Sequence, residues 1–118
     1  MSSAYPTIQT KGTDFYRRQL DFLIRKDVDG LIETHYAKDA QLVSFDYSRK
    51  GHAELKAHFA GYLEMLGDIT LLSTDKFTET EDTIFFEATV RTALGEAQVY
   101  DVFVLENDKV RYHFTGVK

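Results

Sequence analysis

A change of hydrophobic period at Gly67 and Asp68 limits what this chain can become. Before it, apolar residues recur at helical spacing; after it, they alternate along four segments. Phe15, Tyr16, Leu20, Phe22 and Leu23 make a broad stripe on a first helix, expected over roughly 14 to 26 with Thr13 or Asp14 as its cap. KDVDG breaks the pattern. Val28, Leu31, Ile32, His35 and Tyr36 then repeat as on a second, shorter helix, and AQLVSFDY (40–47) alternates as a strand. Gly51 opens a third helix carrying Leu55, His58, Phe59, Tyr62, Leu63 and Leu66, with Gly67 as its stop. ITLLSTDKFT, TIFFEATVRT, EAQVYDVFVLE and KVRYHFTGV read as four strands joined by short turns. Helix, helix, strand, helix and a four-stranded meander predict an α+β fold, with helices packed on one face of a mostly antiparallel sheet. Residues 1–12, polar and holding the one proline, read as an arm before a single domain spanning 13–118.

Composition excludes several function classes. The formal charge is −5, and no basic stripe interleaves with aromatics, so nucleic acid is not an expected partner. There is no cysteine, which removes disulfides, thiolate catalysis and thiolate zinc sites. No apolar run has the length of a signal peptide core or a membrane span, so the expectation is a cytoplasmic protein without a membrane partner. His35, His52, His58 and His113 match no local zinc spacing, and no phosphate loop, dinucleotide fingerprint or GxSxG occurs. No metal and no cofactor are expected.

The chemistry concentrates in VYDVFVLEND (99–108). Val99, Asp101, Phe103 and Leu105 share one strand face; Tyr100, Val102 and Val104 share the other. An acid between two apolar faces meets either protein or a cavity. A partly desolvated carboxyl favours its neutral form, and a proton held there serves general acid or base catalysis. The bland reading is an acid satisfied by a neighbouring Tyr, His or amide. The last strand pairs back through ENDK, and one register places His113, Thr115 and Val117 beside Asp101; a slip of one residue turns His113 outward.

Three segments carry a resemblance that covers nearly the whole chain after residue 13. KDVDGLIETHYAKDAQLV, RKGHAELKAHF and VYDVFVLENDKV are similar, in order and spacing, to the NTF2-like superfamily, in its SnoaL-like and ketosteroid isomerase-like branch. The resemblance implies a cystatin-like cone, three helices on a curved sheet, with an apolar pocket between them. It puts Asp101 where the isomerases keep a protonated aspartic acid, with His113 facing the same pocket as its partner. Phe86, Ala88, Val90, Val99 and Phe103 match the pocket wall.

Other positions depart from the isomerase pattern. Ser44 stands where the isomerase base lies, with Asp46 as the substitute if a bulge turns it inward. Gln19 stands where the oxyanion tyrosine lies, with Tyr16 one helical turn away. Tyr36 matches a family tyrosine, placed on the second helix, where core packing also explains it. Steroid isomerisation therefore fails on two of three groups. Two readings result. One is a cofactor-independent enzyme of cyclase, isomerase or dehydratase type, moving a proton on a small hydrophobic ligand, with Asp101 and His113 catalytic and Tyr16, Gln19, Tyr36 and Ser44 binding substrate. The other is a non-catalytic ligand-binding or dimerisation module. The oily outer face at Tyr100, Val102, Val104, Tyr112 and Phe114 predicts a homodimer through the sheet.

Overall fold

A computed structural model describes residues 4–118; the first three residues of the expected arm lie outside them. The elements are α1 (Lys11–Arg25), α2 (Val28–His35), β1 (Tyr36–Val43), β2 (Ser48–Lys50), α3 (Gly51–Leu66), β3 (Thr70–Glu79), β4 (Thr83–Thr92), β5 (Gly95–Glu106) and β6 (Lys109–Val117). The expected α+β architecture is what forms: three helices on a six-stranded sheet, in the order β2-β1-β6-β5-β4-β3. The sheet is mixed, because β1 runs parallel to β6 while every other pairing is antiparallel. The core is one continuous cluster in which Phe15, Tyr16 and Leu20 of α1 meet Ile84, Phe86 and Phe103 of the sheet.

Local chemistry explains most boundaries. α1 starts at Lys11, three residues before the expected 14, because Thr10 caps it. The Thr10 side chain accepts from the Thr13 amide while the Thr13 hydroxyl accepts from the Thr10 amide, a reciprocal capping box. Glu79 of β3 secures the same helix end, accepting from the Thr10 hydroxyl and, at 2.9 Å, from the Gly12 amide. Lys26 ends α1 in the left-handed region, and the Asp27 carboxylate then caps α2 through the Gly30 amide at 3.0 Å.

The greatest departure from expectation lies between α2 and β2. Tyr36, assigned to the second helix from its spacing, leaves the helix and opens β1 in an extended conformation. The strand expected over 40–47 accordingly runs 36–43. It stops at a turn closed by the Ser44 amide on the Tyr47 carbonyl (2.8 Å), and the chain returns as β2, which periodicity did not reveal. His52, at the start of α3, is half-buried and bonds the Tyr36 carbonyl at 2.8 Å.

The β5–β6 hairpin fixes the register on which the site depends. Asn107 and Asp108 both have positive φ, 53° and 64°, the conformation of a type I′ two-residue turn. Glu106 therefore faces Lys109, and after one irregularity between Leu105 and Val104 the register pairs Phe103 with His113 and Asp101 with Thr115.

Candidate functional site

Between α1, α3 and the inner sheet face lies a cavity of about 330 Å³. Its wall is mainly apolar: Phe86, Ala88 and Val90 of β4 and Val99 and Phe103 of β5 all face it, closed from the helix side by Leu20, Phe59 and Leu63. Alternation along β4 and β5 is what sends these side chains to one face.

Asp101 faces the cavity with a side chain 17% exposed, neither dry nor at the outer surface. His113, 4% exposed, also faces it. The two are diagonal neighbours across the hairpin, since Asp101 lies opposite Thr115. Side chains of their length span that diagonal, and His113 Nε2 meets Asp101 Oδ1 at 2.7 Å. The imidazole is stacked on Phe103, with ring centroids 4.1 Å apart, which fixes its plane.

Behind His113 the hydrogen bonds continue through the protein. His113 Nδ1 meets the Tyr36 hydroxyl at 2.8 Å; Gln19 Nε2 reaches that hydroxyl at 3.0 Å; Gln19 Oε1 meets His35 Nδ1 at 2.8 Å; and Arg18 Nε reaches His35 Nε2 at 3.4 Å. Tyr36 is fully buried behind His113 and does not line the cavity. Burial pushes its phenol well above the usual tyrosine range, so it keeps its proton. Gln19 borders the cavity, but its amide is occupied at both ends. His35 is packed flat on Phe15 at 4.2 Å between ring centroids. Burial, reinforced by the positive charges of Arg18 and Lys109, pushes it down to about 4.

The other candidates divide. Tyr16 lines the cavity, its hydroxyl 2.8 Å from the Thr74 hydroxyl, and burial pushes its phenol up to about 12. Ser44 borders the cavity where β1 ends. Asp46 is exposed at the tip of the following turn, on the rim rather than inside, beside Phe45, which is 95% exposed. His58, on the apolar stripe of the third helix, lines the cavity between Tyr47 and Tyr62, with ring centroids 4.7 and 5.8 Å away. Burial holds it below the ordinary histidine range, with Arg49 and His113 adding to the effect. The i, i+4 spacing of His58 and Tyr62 on α3 was the available signal. Among the described residues no group of three His, Cys, Asp or Glu is placed to hold a metal ion, and no helix is long and apolar enough to cross a membrane.

No protein-family model matches the sequence, and no curated protein matches it. Solved structures do match the fold. An NTF2-like protein of unknown function from Burkholderia pseudomallei superposes with a TM-score of 0.76 at 18% identity, over 93% of this chain and 92% of that one. TerC, crystallised with polyporic acid, gives 0.75 at 15% identity over 92% of each chain. A protein provisionally assigned as a polyketide cyclase, from Sinorhizobium meliloti, gives 0.74 at 14% identity over 87% of this chain and 94% of that one. The chain has the NTF2-like α+β fold.

Proposed function

We propose that this NTF2-like chain binds a small hydrophobic organic molecule and moves a proton on it by acid–base chemistry, without a cofactor, as a cyclase, isomerase or dehydratase does. The observation that carries this reading is a carboxyl group bonded to a buried imidazole in the wall of an apolar cavity. Apolar walls with a few convergent polar groups are what small-molecule sites are made of. Asp101 is the group that exchanges the proton and His113 its partner. Tyr16 and Ser44 contact the substrate, and the rings of Tyr47, His58 and Tyr62 at the mouth suit a flat, unsaturated molecule. The cyclase assignment and the polyporic acid complex among the structural neighbours support a substrate of that type.

A panel of cyclic 1,3-diketones, hydroxyquinones and polyphenols in D2O provides the test, with binding followed by protein NMR and C–H exchange by mass spectrometry. Accelerated exchange that disappears in Asp101→Asn is the expected result. Binding without exchange converts the reading to a ligand-binding module, for which the serine at position 44 is the argument. Neither binding nor exchange overturns it.

The same reading includes a homodimer through the outer sheet face. Phe85 and Phe114 are 40% and 39% exposed there, and Tyr112 stacks beside Phe114. A second copy of the same face is the simplest cover for such a surface. Sedimentation at micromolar concentration should give the dimer mass, and Phe114→Glu the monomer; a monomeric wild type overturns the dimer.

A further inference from the structure

The chain of hydrogen bonds from Arg18 to Asp101 has a direction, and its two ends impose it. A guanidinium only donates, and it does not lose its proton. With Arg18 Nε against His35 Nε2, that nitrogen presents a lone pair, so the neutral imidazole carries its proton on Nδ1. His35 Nδ1 donates to Gln19 Oε1, which turns the Gln19 amide nitrogen toward the Tyr36 oxygen. Having accepted there, the Tyr36 hydroxyl donates to His113 Nδ1, and the remaining His113 proton, on Nε2, points at Asp101. Each intermediate residue donates once and accepts once, and no buried side-chain nitrogen or oxygen among the described residues lacks a partner.

We infer that Arg18, exposed on α1 and outside the cavity lining, is a positioning residue that sets the polarity of this chain, so that His113 turns its Nε2–H to Asp101 and Asp101 Oδ1 is held as a hydrogen-bond acceptor. The inference rests on the proposed use of Asp101 and narrows it to one atom: Oδ1 is taken by His113 Nε2–H, which leaves Oδ2 to exchange the proton with substrate.

The reverse arrangement shows why. If Asp101 carried the proton and gave it to His113 Nε2, then His113 Nδ1 would donate to Tyr36, Tyr36 to Gln19 and Gln19 to His35. His35 Nε2–H would then face Arg18 Nε–H, donor against donor. Reversing only part of the chain moves the same conflict inward, to a buried pair with two hydrogens or none. Because a side-chain amide neither ionises nor shuttles protons, Gln19 passes on orientation and not charge. Arg18 thus acts through the tautomers of two histidines. A carboxyl with one free oxygen in an apolar cavity suits a substrate with an acidic C–H beside a carbonyl. In the ionised form of Asp101 that C–H bond breaks, its electron pair moves to the carbonyl as an enolate, and the proton joins Asp101 Oδ2.

Histidine ring ¹⁵N shifts at neutral pH read the tautomers directly in the ligand-free protein, so the outcome is independent of whether any substrate is found. In wild type, His35 should be the Nδ1–H tautomer and His113 the Nε2–H tautomer. Arg18→Met removes the terminal donor at an exposed position and should turn both histidines into mixtures, with the reversed form rising to a tenth or more. Arg18→Lys, which still only donates, should restore single tautomers. A wild-type His113 protonated on Nδ1, or tautomers unchanged in Arg18→Met, would overturn the inference.

Discussion

His35 and His113 are both almost fully buried, both lie flat on a phenylalanine, and both belong to one hydrogen-bonded chain, yet they face opposite electrostatic conditions. His35 has cations beyond it, Arg18 and Lys109, and no carboxylate among its partners. His113 has Asp101 at 2.7 Å. The lesson is that burial by itself says little about what an imidazole does. The group at the outer nitrogen adds to burial: at His35 burial and the cations beyond it both disfavour the charged form, whereas at His113 the outer nitrogen meets the carboxyl of Asp101.

The sharpest way to break this comparison is to remove the inner histidine. His113→Leu leaves the Asp101 carboxylate without its bond and the buried Tyr36 hydroxyl without an acceptor. It should cost about 3 to 4 kcal/mol of folding free energy, read from urea denaturation. A loss below 1 kcal/mol would mean that the pair contributes little.

Acid acts on the outer histidine. Below pH 6.5 the unfolded chain binds a proton at His35 that the folded chain refuses until about pH 4. Stability is therefore full above 6.5 and falls as the pH drops through that window, by roughly 3 kcal/mol from this residue. Asn at position 35 keeps an N–H where Nδ1 stood and has nothing to titrate. The stability difference between wild type and His35→Asn should shrink by that amount on going from pH 7 to pH 4. A difference that stays constant with pH would show that His35 is not held neutral.

The link between the two histidines gives the smallest effect. Tyr36→Phe deletes the hydroxyl that joins Gln19 to His113, leaving one buried donor and one buried acceptor unmet. About 2 kcal/mol should be lost in thermal or urea unfolding. If Tyr36→Phe and His113→Leu prove additive in a double mutant, the two residues are not acting as one network.

Part of the candidate site was legible in the sequence. Alternation placed Phe86, Ala88, Val90, Val99 and Phe103 on one wall, and the ENDK turn made Asp101 and His113 neighbours in one of two registers. Selecting that register took the irregularity between Val104 and Leu105: the two-residue turn at Asn107 and Asp108, continued regularly, would pair His113 with Val102 and turn it outward. Tyr36 was misplaced because its i+4 relation to Ile32 is helical, while its pairing with β6 is a contact 74 residues away (Val110) that no local window contains. Gln19 was read as a group free to bind substrate. Only the packing of α1 against α2 and β1 shows its amide committed to His35 and Tyr36.

The sequence by itself determined the helices, the meander, an apolar wall and an acid set into it, because periodicity, caps and two-residue turns act over a few residues. The tertiary structure decided which way the polar groups speak to one another. A hydrogen bond's direction depends on the next donor or acceptor along, and here those partners come from α1, α2, β1, β5 and β6, joined only when the fold closes.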